Sequence, residues 1–211
     1  MRCLLPTLLL GSLLLPTPGR AALLRGPYEY PSPISFSGKF GFQAGLGGFT
    51  PGGFKLLLNY SHRFARSHDQ VVGVWFLADL GFVVGPGIGV CGPPEALYEC
   101  SALGYGSAVE IKGGIQLTFR TPVPLVPYVK LAAAIAGVFG RDRCEDTGVG
   151  VPLAARGGGV RYFVTPHLAV SLGAEATLGP AFYSAGRDCF PGSHNEFWRA
   201  ISVLAGLHYA L

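Results

Sequence analysis

The sequence predicts an all-β protein: an eight-stranded antiparallel up-and-down transmembrane β-barrel, preceded by a signal peptide. Three observations predict it. Eight segments, each about ten residues or longer, alternate apolar and polar side chains, and a period of two is the mark of a strand with two different faces. Apolar residues make up 49% of the chain and charged ones only 13%, yet no stretch after Leu24 is apolar for the roughly 18 residues a spanning helix needs. Clusters of Gly and Pro punctuate the segments where turns are required.

Residues 1–22 read as the signal peptide. Arg2 supplies the basic start, Cys3 to Leu15 an apolar core too short to span a bilayer, and Pro16 to Arg20 a helix-ending stretch. Gly19-Arg-Ala21 offers a small-x-small cleavage site. The alternative, a retained anchor, would need roughly 17 apolar residues or more. Cys3 lies too early to be a lipidation cysteine. Residues 23–33 form a Pro-rich lead, and 34–211 the barrel.

The first strand runs from about Ile34 to Leu46, with Phe36, Phe40, Phe42 and Ala44 on one face and Ser35, Ser37, Lys39 and Gln43 on the other. The second, Phe54 to Arg63, sets Phe54, Leu56, Leu58 and Tyr60 against Lys55, Asn59, Ser61 and Arg63. The third, Val71 to Val83, sets Val74, Phe76 and Leu80 against Trp75, Leu77 and Asp79. The fourth, Tyr105 to Phe119, sets Val109, Ile111 and Ile115 against Glu110, Lys112 and Gln116. The fifth, Tyr128 to Phe139, places Val129, Leu131 and Ile135 opposite Lys130 and a row of alanines.

The sixth, near Leu153 to Val164, is the least patterned, because Gly157-Gly-Gly159 carries no alternation. Val160, Tyr162 and Val164 still share a face opposite Arg161. The seventh, Leu168 to Gly179, opposes Val170, Leu172 and Leu178 to Ser171, Glu175 and Thr177. The eighth, Glu196 to Leu211, opposes Ile201, Val203 and Leu207 to Ser202, Gly206 and His208. In seven of the eight, the apolar parity of the central stretch holds no Lys, Arg, Asp or Glu. An Arg or Lys on a lipid face near the midplane costs roughly 2–4 kcal/mol, so this pattern points the apolar faces outward to lipid and the polar ones into a filled lumen.

With the N-terminus counted as periplasmic, the inner turns are Ala65 to Gln70, Arg120 to Pro127 and Thr165 to His167. The outer connections are Gly47 to Gly53, Val84 to Gly104, Gly140 to Pro152 and Pro180 to Asn195, long apart from the first. Short inner turns and long outer loops are the outer-membrane arrangement. Basic residues number 16 and acidic 12. No Lys/Arg run is interleaved with aromatics, which excludes a nucleic-acid footprint.

The eight alternating segments and the end Ile201-Ser-Val-Leu-Ala-Gly-Leu-His-Tyr-Ala-Leu211 carry a resemblance. Across the mature length the chain resembles the small outer-membrane barrels of the OmpA/OmpX and OmpW type. Its end resembles their C-terminal strand signal, with Leu211 where such proteins usually have Phe. The resemblance implies a location in the outer membrane, contact with membrane lipid and lipopolysaccharide, and recognition of the last strand by the barrel-assembly machinery. It transfers no catalytic or ligand motif and no cofactor. A soluble lipocalin-like barrel is the rival, with the same alternation and opposite polarity.

Four cysteines follow the leader: Cys91, Cys100, Cys144 and Cys189, all in outer connections. An exported protein meets an oxidising compartment, so disulfides are expected. One pairing closes Cys91 to Cys100 and ties Cys144 to Cys189, but four cysteines allow three connectivities. No Cys-x-x-Cys or paired-His spacing suggests a metal.

The inward ionisable residues are Lys39, Lys55, Arg63, Asp79, Glu110, Lys112, Lys130, Arg161, Glu175 and His208. Counted from the strand ends, Lys55, Asp79, Glu110, Lys112 and Glu175 fall in the outer half. Lys39, Arg63, Lys130, Arg161 and His208 fall in an acid-free inner half. An eight-stranded barrel is just wide enough for side chains to fill. A plug of ion pairs is therefore expected; the alternative is a basic inner half that holds or admits an anion.

Asp79 and Glu110 at similar height form a candidate carboxyl pair. Ser61-His62 point to opposite faces, and Ser202 lies about 20 Å from His208 at strand rise, so no nucleophile–base dyad forms. Trp75 is expected to pack in the lumen, and Tyr105, Tyr128 and Tyr209 to anchor strand ends at the interface. The predicted function is non-catalytic: a structural or surface-interaction barrel, with a narrow solute channel or cup as the alternative and a lipid-modifying enzyme more remote. An extracellular ligand stays open.

Overall fold

A computed structural model describes residues 32–46, 50–68, 71–85, 88–91, 100–103, 106–139, 147–184 and 193–211. The signal peptide, the lead up to residue 31, Tyr105, Cys144 and Cys189 lie outside them. The strands are β1 (Ile34–Gly45), β2 (Gly53–Arg66), β3 (Val72–Gly85), β4 (Ile88–Cys91), β5 (Cys100–Leu103), β6 (Gly106–Phe119), β7 (Leu125–Phe139), β8 (Thr147–Phe163), β9 (Leu168–Ser184) and β10 (Ser193–Ala210).

Eight of them close into a ring, each antiparallel to its neighbours in the order β1-β10-β9-β8-β7-β6-β3-β2. β1 seals the cylinder against β10, from Ser35 opposite Ala210 to Gly45 opposite Ala200. Closure leaves no open sheet edge, so each strand's backbone groups find partners on both sides. β4 and β5 form a separate hairpin inside the long connection between β3 and β6. That hairpin marks one end of the cylinder, opposite the end where both termini of the described barrel meet.

Strand pleating sends successive side chains in and out, and burial follows that alternation. Phe40 is 57% exposed, Phe76 47%, Ile111 61% and Leu172 56%. Their immediate neighbours Lys39, Trp75, Glu110, Lys112 and Ser171 are buried. The cylinder is thus inside out relative to a water-soluble carrier. The acidic side chains Asp79, Glu110 and Glu175 are interior. On the outside, Arg156 stands exposed midway along β8, the one strand whose pattern was weak.

β8 begins at Thr147, six residues before the expected start. Its ladder slips between Gly150 and Ala154, across Pro152, which has no N–H to donate. A strand interrupted by proline reads as loop. β10 likewise starts at Ser193, three residues early.

Apolar clusters cap the interior at both ends. Toward the hairpin end Trp198, Leu153, Val83, Val138 and small alanines pack together. Toward the other end Trp75, Phe163, Val126, Ala169 and Ala210 do the same. Between them lies the polar interior.

Candidate functional site

The middle of the lumen holds three lysines and three carboxylates in one network. Lys55 Nζ lies 2.6 Å from Glu110 Oε2 and 3.5 Å from Glu175 Oε1. Lys112 Nζ lies 2.8 Å from the same Glu110 oxygen and pairs with Glu175. Lys130 Nζ reaches Asp79 Oδ2 at 3.0 Å and also pairs with Glu175. Gln43 accepts from Lys55 at 2.6 Å, and Asn59 Nδ2 donates to Asp79 Oδ1 at 2.5 Å.

The network sums to zero charge, and its members are buried or nearly so. An ion taken from water costs several kcal/mol unless its partners restore the interaction, so neutrality and multiple contacts are conditions of its burial.

Register explains the grouping. Asp79 faces Lys112, while Glu110 faces Gly81 and Lys55 faces Val83. Lys130 faces Gly157, whose missing side chain lets the lysine cross to Glu175 on the next strand. A Cβ at Gly157 would stand 3.1 Å from Lys130 Cε.

Below this network sits a second cluster with a different chemistry. Two cations lie over the Tyr128 ring, Lys39 Nζ at 4.8 Å from its centroid and Arg161 Cζ at 4.4 Å. Lys39 also donates to Tyr128 Oη at 3.0 Å, and Arg161 Nη2 donates to Gln116 Oε1 at 2.8 Å. His208 is fully buried in the same half. Tyr128 fits because β8 and β9 present glycines to it: a Cβ at Gly159 would stand 2.9 Å from its hydroxyl, and one at Gly173 closer still. At the end of the cylinder Arg63 stacks over Trp75 at 5.2 Å, and Trp75 Nε1 donates to Thr118 Oγ1 at 2.9 Å.

Eight of the ten expected lumen residues are thus buried inside, with Lys130 half-buried and Arg63 partly exposed at the end. Three expectations need correction. Lys130 does not belong to an acid-free half, because the glycine opposite it leads its chain to Asp79 and Glu175. Asp79 and Glu110 form no carboxyl pair: they stand two residues out of register, and lysines separate them. Tyr128 is no interfacial anchor but 3% exposed, on the inward parity of β7.

Trp198 is also interior. Its even-numbered position places it with Ala200 and Ser202. The same parity count sets Arg156 on the face opposite Arg161, together with Val160. Cys91 and Cys100 stand directly opposite each other in the β4–β5 ladder.

A closed antiparallel ring, apolar outside and charged within, is the architecture of small outer-membrane β-barrel proteins, and the chain resembles them. It is similar to Neisserial surface protein A at a TM-score of 0.55 and 16% identity, covering 85% of this chain and 98% of that one. Ail, the attachment invasion locus protein of Yersinia pestis, matches at 14% identity, 83% and 95% coverage and a TM-score of 0.43. OprG, an outer membrane protein of Pseudomonas aeruginosa, matches at 13%, 84% and 96%, with 0.46. At such identities the likeness concerns the fold. No protein-family model matches the sequence, and no curated protein does.

Proposed function

We propose that the protein is an exported, non-catalytic β-barrel of the outer membrane with a structural or surface-interaction role and a lumen closed to solutes. The observation that carries the reading is the inversion of polarity. Large apolar side chains such as Phe40, Ile111 and Leu172 are exposed while Lys55, Lys112 and Glu110 are buried. In water such an exterior is a large sticky patch; in hydrocarbon it is solvated.

Capping Trp clusters and a neutral ion network support the closed lumen. The exterior meets membrane lipid and lipopolysaccharide, the last strand meets the assembly machinery, and the hairpin end faces outward. There Cys91 and Cys100, opposite each other in β4–β5, are placed to form a disulfide. Two thiols lose two protons and two electrons to a protein disulfide donor in the process.

Planar-bilayer recording tests the closed lumen. The protein inserted from detergent is expected to give no discrete current steps. Reproducible steps that Trp75→Ala enlarges would make it a channel instead.

A further inference from the structure

The exterior of the cylinder carries one feature that the proposed role does not use. Arg156 projects outward midway along β8, exposed, and among the described residues no hydrogen bond or ion pair involves it. Leu131 faces it on β7 and Ala176 on β9. Ala154 and Gly158 flank it along its own strand, so the guanidinium rises from a floor of small side chains. Beside it runs an apolar groove of about 440 Å³ whose exterior walls include Ile115, Leu131, Ala133 and Ala154.

A cation in this place is costly. An arginine near the middle of a barrel's lipid face destabilises insertion unless it finds an anion or draws its charge to the interface. A self-complementary contact between two copies across this patch sets Arg156 toward Arg156, and Asp79, Glu110 and Glu175 are buried in the lumen. None of these three carboxylates can supply the complementary charge.

We infer that Arg156 and the adjoining groove form a seat for one anionic lipid, its phosphate on the guanidinium and an acyl chain along Leu131, Ala133 and Ala154. This inference rests on the membrane-barrel reading. The planar guanidinium offers paired donors to phosphate oxygens. Its flexible stem lets it rise toward the head-group layer while its methylenes cover Leu131 and Ala176. The shallow floor of Ala and Gly admits a chain that larger residues would exclude.

The test uses the folded barrel in phosphatidylcholine vesicles with and without phosphatidylglycerol, extracted gently and weighed by native mass spectrometry. The parent is expected to retain phosphatidylglycerol in preference to phosphatidylcholine. In Arg156→Gln that preference falls roughly tenfold or more, the scale of one lost charge-assisted hydrogen bond. Arg156→Lys keeps part of it, and Ala133→Leu, which narrows the groove and leaves the charge, weakens retention of either lipid. No preference in the parent, or one that Arg156→Gln leaves intact, overturns the inference. So does a dimer that Arg156→Gln dissolves, because the seat is then an interface between copies. As a second readout, the urea midpoint of Arg156→Gln rises above the parent's in pure phosphatidylcholine, and the gain shrinks when phosphatidylglycerol is present; an equal gain in both also overturns it. A parent that fails to insert at all is a different result and refutes the barrel reading itself.

Discussion

The middle and the lower lumen are built from similar residues under different rules. In the middle, Lys55, Lys112 and Lys130 each touch two carboxylates, and Glu175 joins all three lysines. In the lower cluster, Lys39 and Arg161 lie over one phenol ring, with Gln116 accepting from the arginine. The first region is held by charge neutralisation, the second by a ring quadrupole and amide dipoles, which are individually weaker. Removing a charge therefore has opposite consequences in the two places. A carboxylate left behind in the middle is stranded; a cation removed below strands nothing of opposite sign.

The largest effect is therefore expected for Lys112→Met. It leaves Glu110 and Glu175 short of a partner in a buried site and should lower stability by about 3–5 kcal/mol, read from urea unfolding in vesicles. Lys39→Met provides the sharpest contrast. Its loss costs a hydrogen bond and a ring contact yet relieves repulsion from Arg161, so the change should stay within about 1 kcal/mol of zero. Equal costs for the two would erase the distinction.

Gly173→Ala comes between them. The new methyl collides with the Tyr128 hydroxyl, and the strain should cost about 1–3 kcal/mol, with the Arg161 and Lys39 contacts displaced. Tyr128→Phe keeps the ring but not the acceptor for Lys39 and should cost about 1 kcal/mol. Opposite in sign is Gly38→Ala on the exterior, where a Cβ meets nothing. Relief of backbone entropy should stabilise the barrel by roughly 0.5–1 kcal/mol.

Much of this was legible in the sequence because parity is a local signal. Phe76 beside Trp75, or Ile111 between Glu110 and Lys112, declares which face is which without any knowledge of neighbours. Register is not local. Lys130 reaches acids only because Gly157 stands opposite it, and Asp79 avoids Glu110 only because β3 and β6 are offset as they are. The Gly157–Gly159 run looked patternless for the same reason: its meaning lies in the Tyr128 and Lys130 side chains that occupy its space. Pro152 hid the start of β8, since a residue that cannot donate to a ladder reads as the end of one.

In the proposed membrane barrel the exposed apolar side chains meet hydrocarbon. Fluorescence quenching by lipids brominated at mid-chain tests this at adjacent residues. Trp75 and Trp198 are both fully buried inside, so the parent should be quenched only weakly. Phe76→Trp moves an indole one residue, onto the outer face, and should be quenched strongly. Strong quenching of the parent, or none in Phe76→Trp, would contradict the account.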